Sequence, residues 1–70
     1  MNRMKKQVKI DKHYIGILKN RFTLDKWYDV ISEWKLGYKL QDNTGLIDDC
    51  PKVWINETRE VQDDTREENL

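Results

Sequence analysis

The side chains able to do chemistry are few, and none is spaced for catalysis. His13 is the single histidine and Cys50 the single cysteine of the 70 residues. His13 stands beside the turn-forming pair Asp11-Lys12, and no nearby residue pairs it with a nucleophile. One thiol and one imidazole cannot supply the roughly four nitrogen or sulfur ligands of a structural zinc site. A lone cysteine also excludes an internal disulfide, so Cys50 is expected as a small, partly buried apolar residue. Asp42, Asp48 and Asp49 flank one predicted hairpin and come nearest to a hard-cation site. Asp42-Asn43-Thr44-Gly45 nevertheless lacks the alternating ligands and distal Glu of a calcium loop, so these carboxylates are expected to be solvated. Three glycines are too few for a phosphate-cradling loop, and no dinucleotide fingerprint or nucleophile elbow occurs. The expectation is a protein that is not an enzyme and uses no cofactor or metal.

The remaining chemistry is binding. Three Trp, three Tyr and one Phe are a heavy aromatic load for this length. Each ring removes on the order of 150–250 Å² from water when buried, so they either crowd one small core or serve an interface. Trp and Tyr are preferred anchors of protein–protein contacts. In Val53-Trp54-Ile55 the period of a strand puts Trp54 on the face opposite Val53 and Ile55. If those two face the core, Trp54 is exposed and invites a partner; the alternative is an inward Trp54. Trp34 is expected at the rim near it. The acidic residues Asp48, Asp49, Glu57, Glu60, Asp63 and Asp64 complete a predicted protein-binding surface that fits a partner with a basic surface.

A second class of partner follows from the charge layout. The formal net charge is zero. Residues 1–40 carry ten Lys/Arg against four Asp/Glu, and residues 41–70 carry three against nine, giving +6 and −6. Lys5, Lys6, Lys9, Lys12 and Arg21 form a basic N-terminal third able to meet phosphates, with nucleic acid as the alternative partner. Against it stand a sequence pI of about 6.6 and the nearby acidic half. The opposed halves also fit self-neutralisation within the fold, or pairing with a second copy in a homodimer.

These residues need elements to position them. Val8-Lys9-Ile10 alternates like a half-buried strand, and residues 1–6 read as a basic, flexible start. Tyr14-Ile15-Gly16-Ile17-Leu18 is rich in β-branched and aromatic residues and predicts a second strand. The rival is a helix from Asp11 with Tyr14, Leu18 and Phe22 on one stripe. Residues 23–36 predict the central helix: Thr23 as N-cap, a stripe of Leu24, Trp27, Tyr28, Ile31 and Trp34, and Gly37 just beyond the end in the left-handed conformation. Tyr38-Lys39-Leu40 and Leu46-Ile47, joined through Asp42-Asn43-Thr44-Gly45, predict a hairpin. Residues 52–56 predict a last strand. From Glu57 onward only Val61 and Leu70 are aliphatic, which predicts a mobile acidic tail over 57–70. The expected fold is α+β in the order ββαββ(β), one helix on a short antiparallel sheet, with a compact domain over residues 7–56.

No segment approaches the roughly 18 apolar residues of a membrane span. The basic start is followed by Lys9, Asp11 and Lys12 rather than an apolar signal region, so the chain is read as cytoplasmic and unexported. The sequon Asn56-Glu57-Thr58 is then a chance match. Lys, Asn and Ile make up 20 residues and alanine is absent, a bias that points to a low-GC genome. In composition the chain is similar to small accessory proteins of phages and mobile elements. The expected function is a non-enzymatic interaction module that binds and modulates another protein, as an inhibitor of a nucleic-acid-handling host protein would. The alternative is a small nucleic-acid-binding protein.

Overall fold

The computed structural model describes residues 3–62. Five strands and one short helix follow in the order β1 (Met4–Ile10), α1 (Lys12–Leu18), β2 (Tyr28–Trp34), β3 (Gly37–Gln41), β4 (Ile47–Pro51) and β5 (Ile55–Gln62). Two 3₁₀ turns, Lys19–Arg21 and Lys52–Trp54, complete the set. The strands form one antiparallel sheet in the order β4-β3-β2-β1-β5. β2 is shared: Tyr28 and Asp29 pair with β1, and Val30 to Trp34 pair with β3 across a bulge. The domain is therefore mostly sheet, which corrects the α+β expectation of a central helix and the order ββαββ(β).

The predicted helix over 23–36 does not form; its second half is β2. Leu24, Trp27, Tyr28, Ile31 and Trp34 have helical spacing, but Tyr28, Val30 and Ile31 equally suit a pleated surface. Pairing on both sides of β2 decides between the two readings. Asp25 adopts φ 63°, a left-handed turn conformation that Asp tolerates, ahead of the strand. Thr23 caps nothing. Its amide donates to the Tyr28 hydroxyl at 2.6 Å, and its Oγ1 accepts from Asn43 Nδ2 at 2.9 Å.

The helix lies instead at Lys12–Leu18, the rival reading of that segment. Asp11 starts it as an N-cap, its Oδ1 accepting from the His13 amide at 2.8 Å. Tyr14 and Leu18 then face the core from α1, and Phe22 joins them from the extended residue that follows the 3₁₀ turn. Gly16 meets nothing within 4 Å where a Cβ would stand, so no bulge or close approach requires it.

Val8, Ile10, Leu18, Phe22, Tyr28, Tyr38, Leu40 and Cys50 form the buried core, with Tyr14, Ile15, Val30, Trp54 and Ile55 against it. Gly37 is not a helix terminator. A Cβ there would lie 2.6 Å from the Cys50 carbonyl oxygen, because β3 and β4 approach closely where Gly37 opposes Pro51. The expected hairpin is present, closed by Gly45 at φ 90° and by Asp42 N–H to Leu46 C=O at 2.9 Å. At the C-terminal side, 57–62 continues β5 and pairs with Met4 to Lys9. Those residues, expected in a mobile tail, and Met4 to Lys6, expected in a flexible start, are held by a backbone ladder that needs no apolar content. The rest of the expected tail, including Asp63 and Asp64, lies outside the described residues. Among the described residues no helix is long and apolar enough to cross a membrane.

Candidate binding surface

Alternation along the strands gives the sheet two faces. The inner face holds Val30, Tyr38, Leu40, Asp48 and Cys50 beneath α1 and the 3₁₀ turns. The outer face of β2-β3-β4 carries Ile31, Trp34, Lys39, Gln41, Ile47 and Asp49, all exposed. Trp34 is 46% exposed, Ile47 52% and Ile31 54%, a high apolar content for an uncovered face. Trp34 is held in place: its Nε1 donates to Asp49 Oδ1 at 2.9 Å, beside Gly37, where a Cβ would lie 3.2 Å from that nitrogen. Lys39 approaches the same carboxylate at 3.8 Å.

The outer face continues onto β1 and β5 through Trp27. Its ring has the Lys9 ammonium 4.7 Å from the centroid and the Arg59 guanidinium at 4.1 Å. Arg59 Nε donates to Gln7 Oε1 at 2.8 Å, Gln7 Nε2 donates to Asp29 Oδ1 at 2.7 Å, and Lys5 pairs with Asp29 at 3.4 Å. An open cleft of about 500 Å³ sits where β2 passes from β1 to β3, lined by Gln7, Lys26, Trp27, Asp29, Ile31 and Gln41 among others.

Two charge clusters lie at the ends of the inner face. At one end Glu33 bridges Lys6 and Lys52, each at 3.0 Å, and both ammonium groups lie 5.5 Å from the Tyr38 ring centroid. Lys52, then Lys6, hold the Glu33 carboxyl below its ordinary range, and Glu33 raises Lys6 in return. At the other end Arg21 binds Asp48 through Nη2 and Nε and faces Asp42 Oδ2 at 3.6 Å. Asp42 is buried. Its Oδ1 accepts from the Thr44 amide at 2.8 Å, the Thr44 hydroxyl at 2.5 Å and the Leu46 amide at 3.2 Å. The Thr44 and Leu46 donors hold the Asp42 carboxyl well below the usual range, against burial acting the other way. Asp48 raises Arg21 further.

Cys50 is fully buried, and that burial pushes its thiol up to about 11, which leaves almost no thiolate at neutral pH. His13 is exposed, its Nδ1 2.7 Å from Asp11 Oδ1, and this contact, after that of the His13 amide, lowers the Asp11 carboxyl. No group of three metal-ligating side chains occurs among the described residues.

The residues singled out by sequence are dispersed. Trp34 and Asp49 meet on the outer face. Trp54 does not join them: it is half-buried against Tyr14, ring centroids 5.9 Å apart, while Val53 is 67% exposed. Lys52–Trp54 is a 3₁₀ turn, so the strand alternation that was to expose Trp54 does not apply. Asp48 points inward to Arg21, and Glu57 and Glu60 sit on β5 opposite Lys9 and Lys6. Of the basic set, Lys5 and Lys9 share the outer face, Lys6 lies at the inner rim with Glu33, Lys12 is exposed at the start of α1, and Arg21 is bound to Asp48. Among the described residues neither an acidic nor a basic surface is assembled as expected. Trp27, Arg59, Ile31 and Ile47 were missed; the strand period of Tyr28 and Val30 was the available signal for the face. No family model, no curated protein and no solved structure matches this chain.

Proposed function

We propose that this chain is a non-enzymatic protein-interaction module that engages a partner protein through the outer face of β2-β3-β4. The observation behind this reading is the exposure of Trp34, Ile31 and Ile47 on a sheet face that no described element covers. Such side chains supply the apolar centre of an interface, and Lys39, Gln41 and Asp49 supply a polar rim. The orientation of Trp34, fixed by Asp49, lowers the entropy lost on contact. Modulation of the partner follows if this face covers the partner's own working surface.

The test is retention of a single stoichiometric protein from a nuclease-treated low-GC bacterial lysate, repeated with Ile47→Lys and Ile31→Ser. Both positions are more than half exposed, so the fold is expected to survive. Loss of retention with both variants supports the reading; undiminished retention refutes it.

A second reading, single-stranded nucleic acid, is favoured by the cations around Trp27 together with Lys5 and Lys26. It predicts retention that nuclease abolishes and that falls steeply with salt.

A further inference from the structure

The two edges of the described sheet are built differently. β4 has five residues, ends in Pro51 and turns the charge of Asp48 inward. Shortness, proline and an inward charge are devices that stop an edge from pairing. β5 has eight residues, contains no proline, and among the described residues pairs only with β1. Asn56 to Glu60 are all exposed along it. A long open edge of this kind is a template for another strand.

The order of charges on β5 selects the occupant. Antiparallel pairing of two copies about a two-fold axis at Thr58 sets Glu57 opposite the partner's Arg59, and symmetry repeats the pair. The same register puts Thr58 opposite its own copy, a favourable hydroxyl pair. Neighbouring registers fail. An axis half a residue further on is excluded by the pleat, because it would oppose Glu57 of the outer face to Glu60 of the inner face. An axis at Arg59 or at Glu57 sets like charge directly against like charge, which is destabilising. Arg59 has further donors for this pairing, since Gln7 engages its Nε. We infer that the chain forms a two-fold homodimer in which β5 of each copy adds antiparallel to β5 of the other about Thr58, joining the two sheets into one.

The test is sedimentation of the full chain over a concentration series, with Glu57→Arg, Arg59→Glu, the double variant, and an equimolar mixture of the two single variants. The wild type is expected to move from 8.5 kDa to twice that mass. Each single variant places like charges opposite each other and is expected to lose association at least tenfold. The mixture, and the double variant alone, restore opposite charges and are expected to regain it. A wild type that stays monomeric up to millimolar concentration overturns the inference, and so does a dimer indifferent to both reversals. Arg59→Glu also removes the contact with Trp27, so amide exchange on the wild type gives an independent readout. The outward amides of 56–60 are expected to slow as concentration rises; exchange independent of concentration overturns the dimer. Ile47→Lys, which removes an anchor of the proposed partner-binding face, is expected to leave the dimer intact, so the two proposals fail separately.

Discussion

Single residues here are fixed by atoms at named distances, and two of them carry sharp predictions. Gly37 faces the Cys50 carbonyl, where a Cβ would stand at 2.6 Å against backbone that cannot swing aside. Gly37→Ala is expected to cost about 2 kcal/mol or more, and thermal melting is expected to show a fall of several degrees. A melt equal to wild type would mean that β3 and β4 separate freely at this point. Asp42 and Glu33 both have depressed folded-state values, so the unfolded chain takes up their protons first as pH falls. Their contribution is present above the unfolded carboxylate range, near pH 4, and is lost as pH drops through the folded values. Urea midpoints are therefore expected to decline below about pH 4, and Asp42→Asn is expected to flatten that decline. Gly37 was legible as a required glycine but for the wrong reason, because its constraint comes from a neighbouring strand rather than from its own φ.

At the scale of elements, the legible parts were those with local causes. β1 alternates and the 42–46 turn has its Asp, Asn and Gly, whereas Tyr14 to Leu18, expected as a strand, form the helix that was only the rival reading. What was illegible depended on long-range pairing. β2 became a strand because β1 and β3 flank it, against a stripe that suits a helix equally well. β5 from Glu57 to Gln62 has almost no apolar content and exists through its ladder with β1. Trp27 then acts between elements: leaving the chain just before β2, it lies against Lys9 of β1 and Arg59 of β5. Trp27→Ala is expected to cost about 1–3 kcal/mol through lost burial and cation–π contact. Amide exchange locates the loss: β1-β5 amides are expected to speed up more than those of β3-β4. Uniform acceleration across the sheet would show that Trp27 supports the core as a whole.

For the whole molecule, topology brings basic positions of the first strand beside acidic positions of the last described strand. The first strand and the last lie side by side, so Lys9 meets Glu57 and Lys6 meets Glu60 in register. This closure joins the first and last described strands and places β5 against β1, the strand that contributes the fully buried Val8 and Ile10. Removing residues 57–70 tests whether the domain is complete without it. The shortened chain keeps every buried core residue among those described, since the last of them is Cys50. A core sufficient in itself would therefore leave it folded. The ladder argues otherwise: without residues 57–62, six residues of β1 from Met4 to Lys9 lose their partners on that side, and β1 keeps only the Ile10–Ile55 pair and the two-residue pairing with β2. Strands held by so few bonds do not offset their ordering entropy. The truncated chain is expected to lose its sigmoidal urea transition and the near-ultraviolet circular dichroism of packed Tyr14 and Trp54, while the full chain retains both. A cooperative transition in the truncated chain would show instead that the fold closes before β5, and that the last strand is an addition to a finished core.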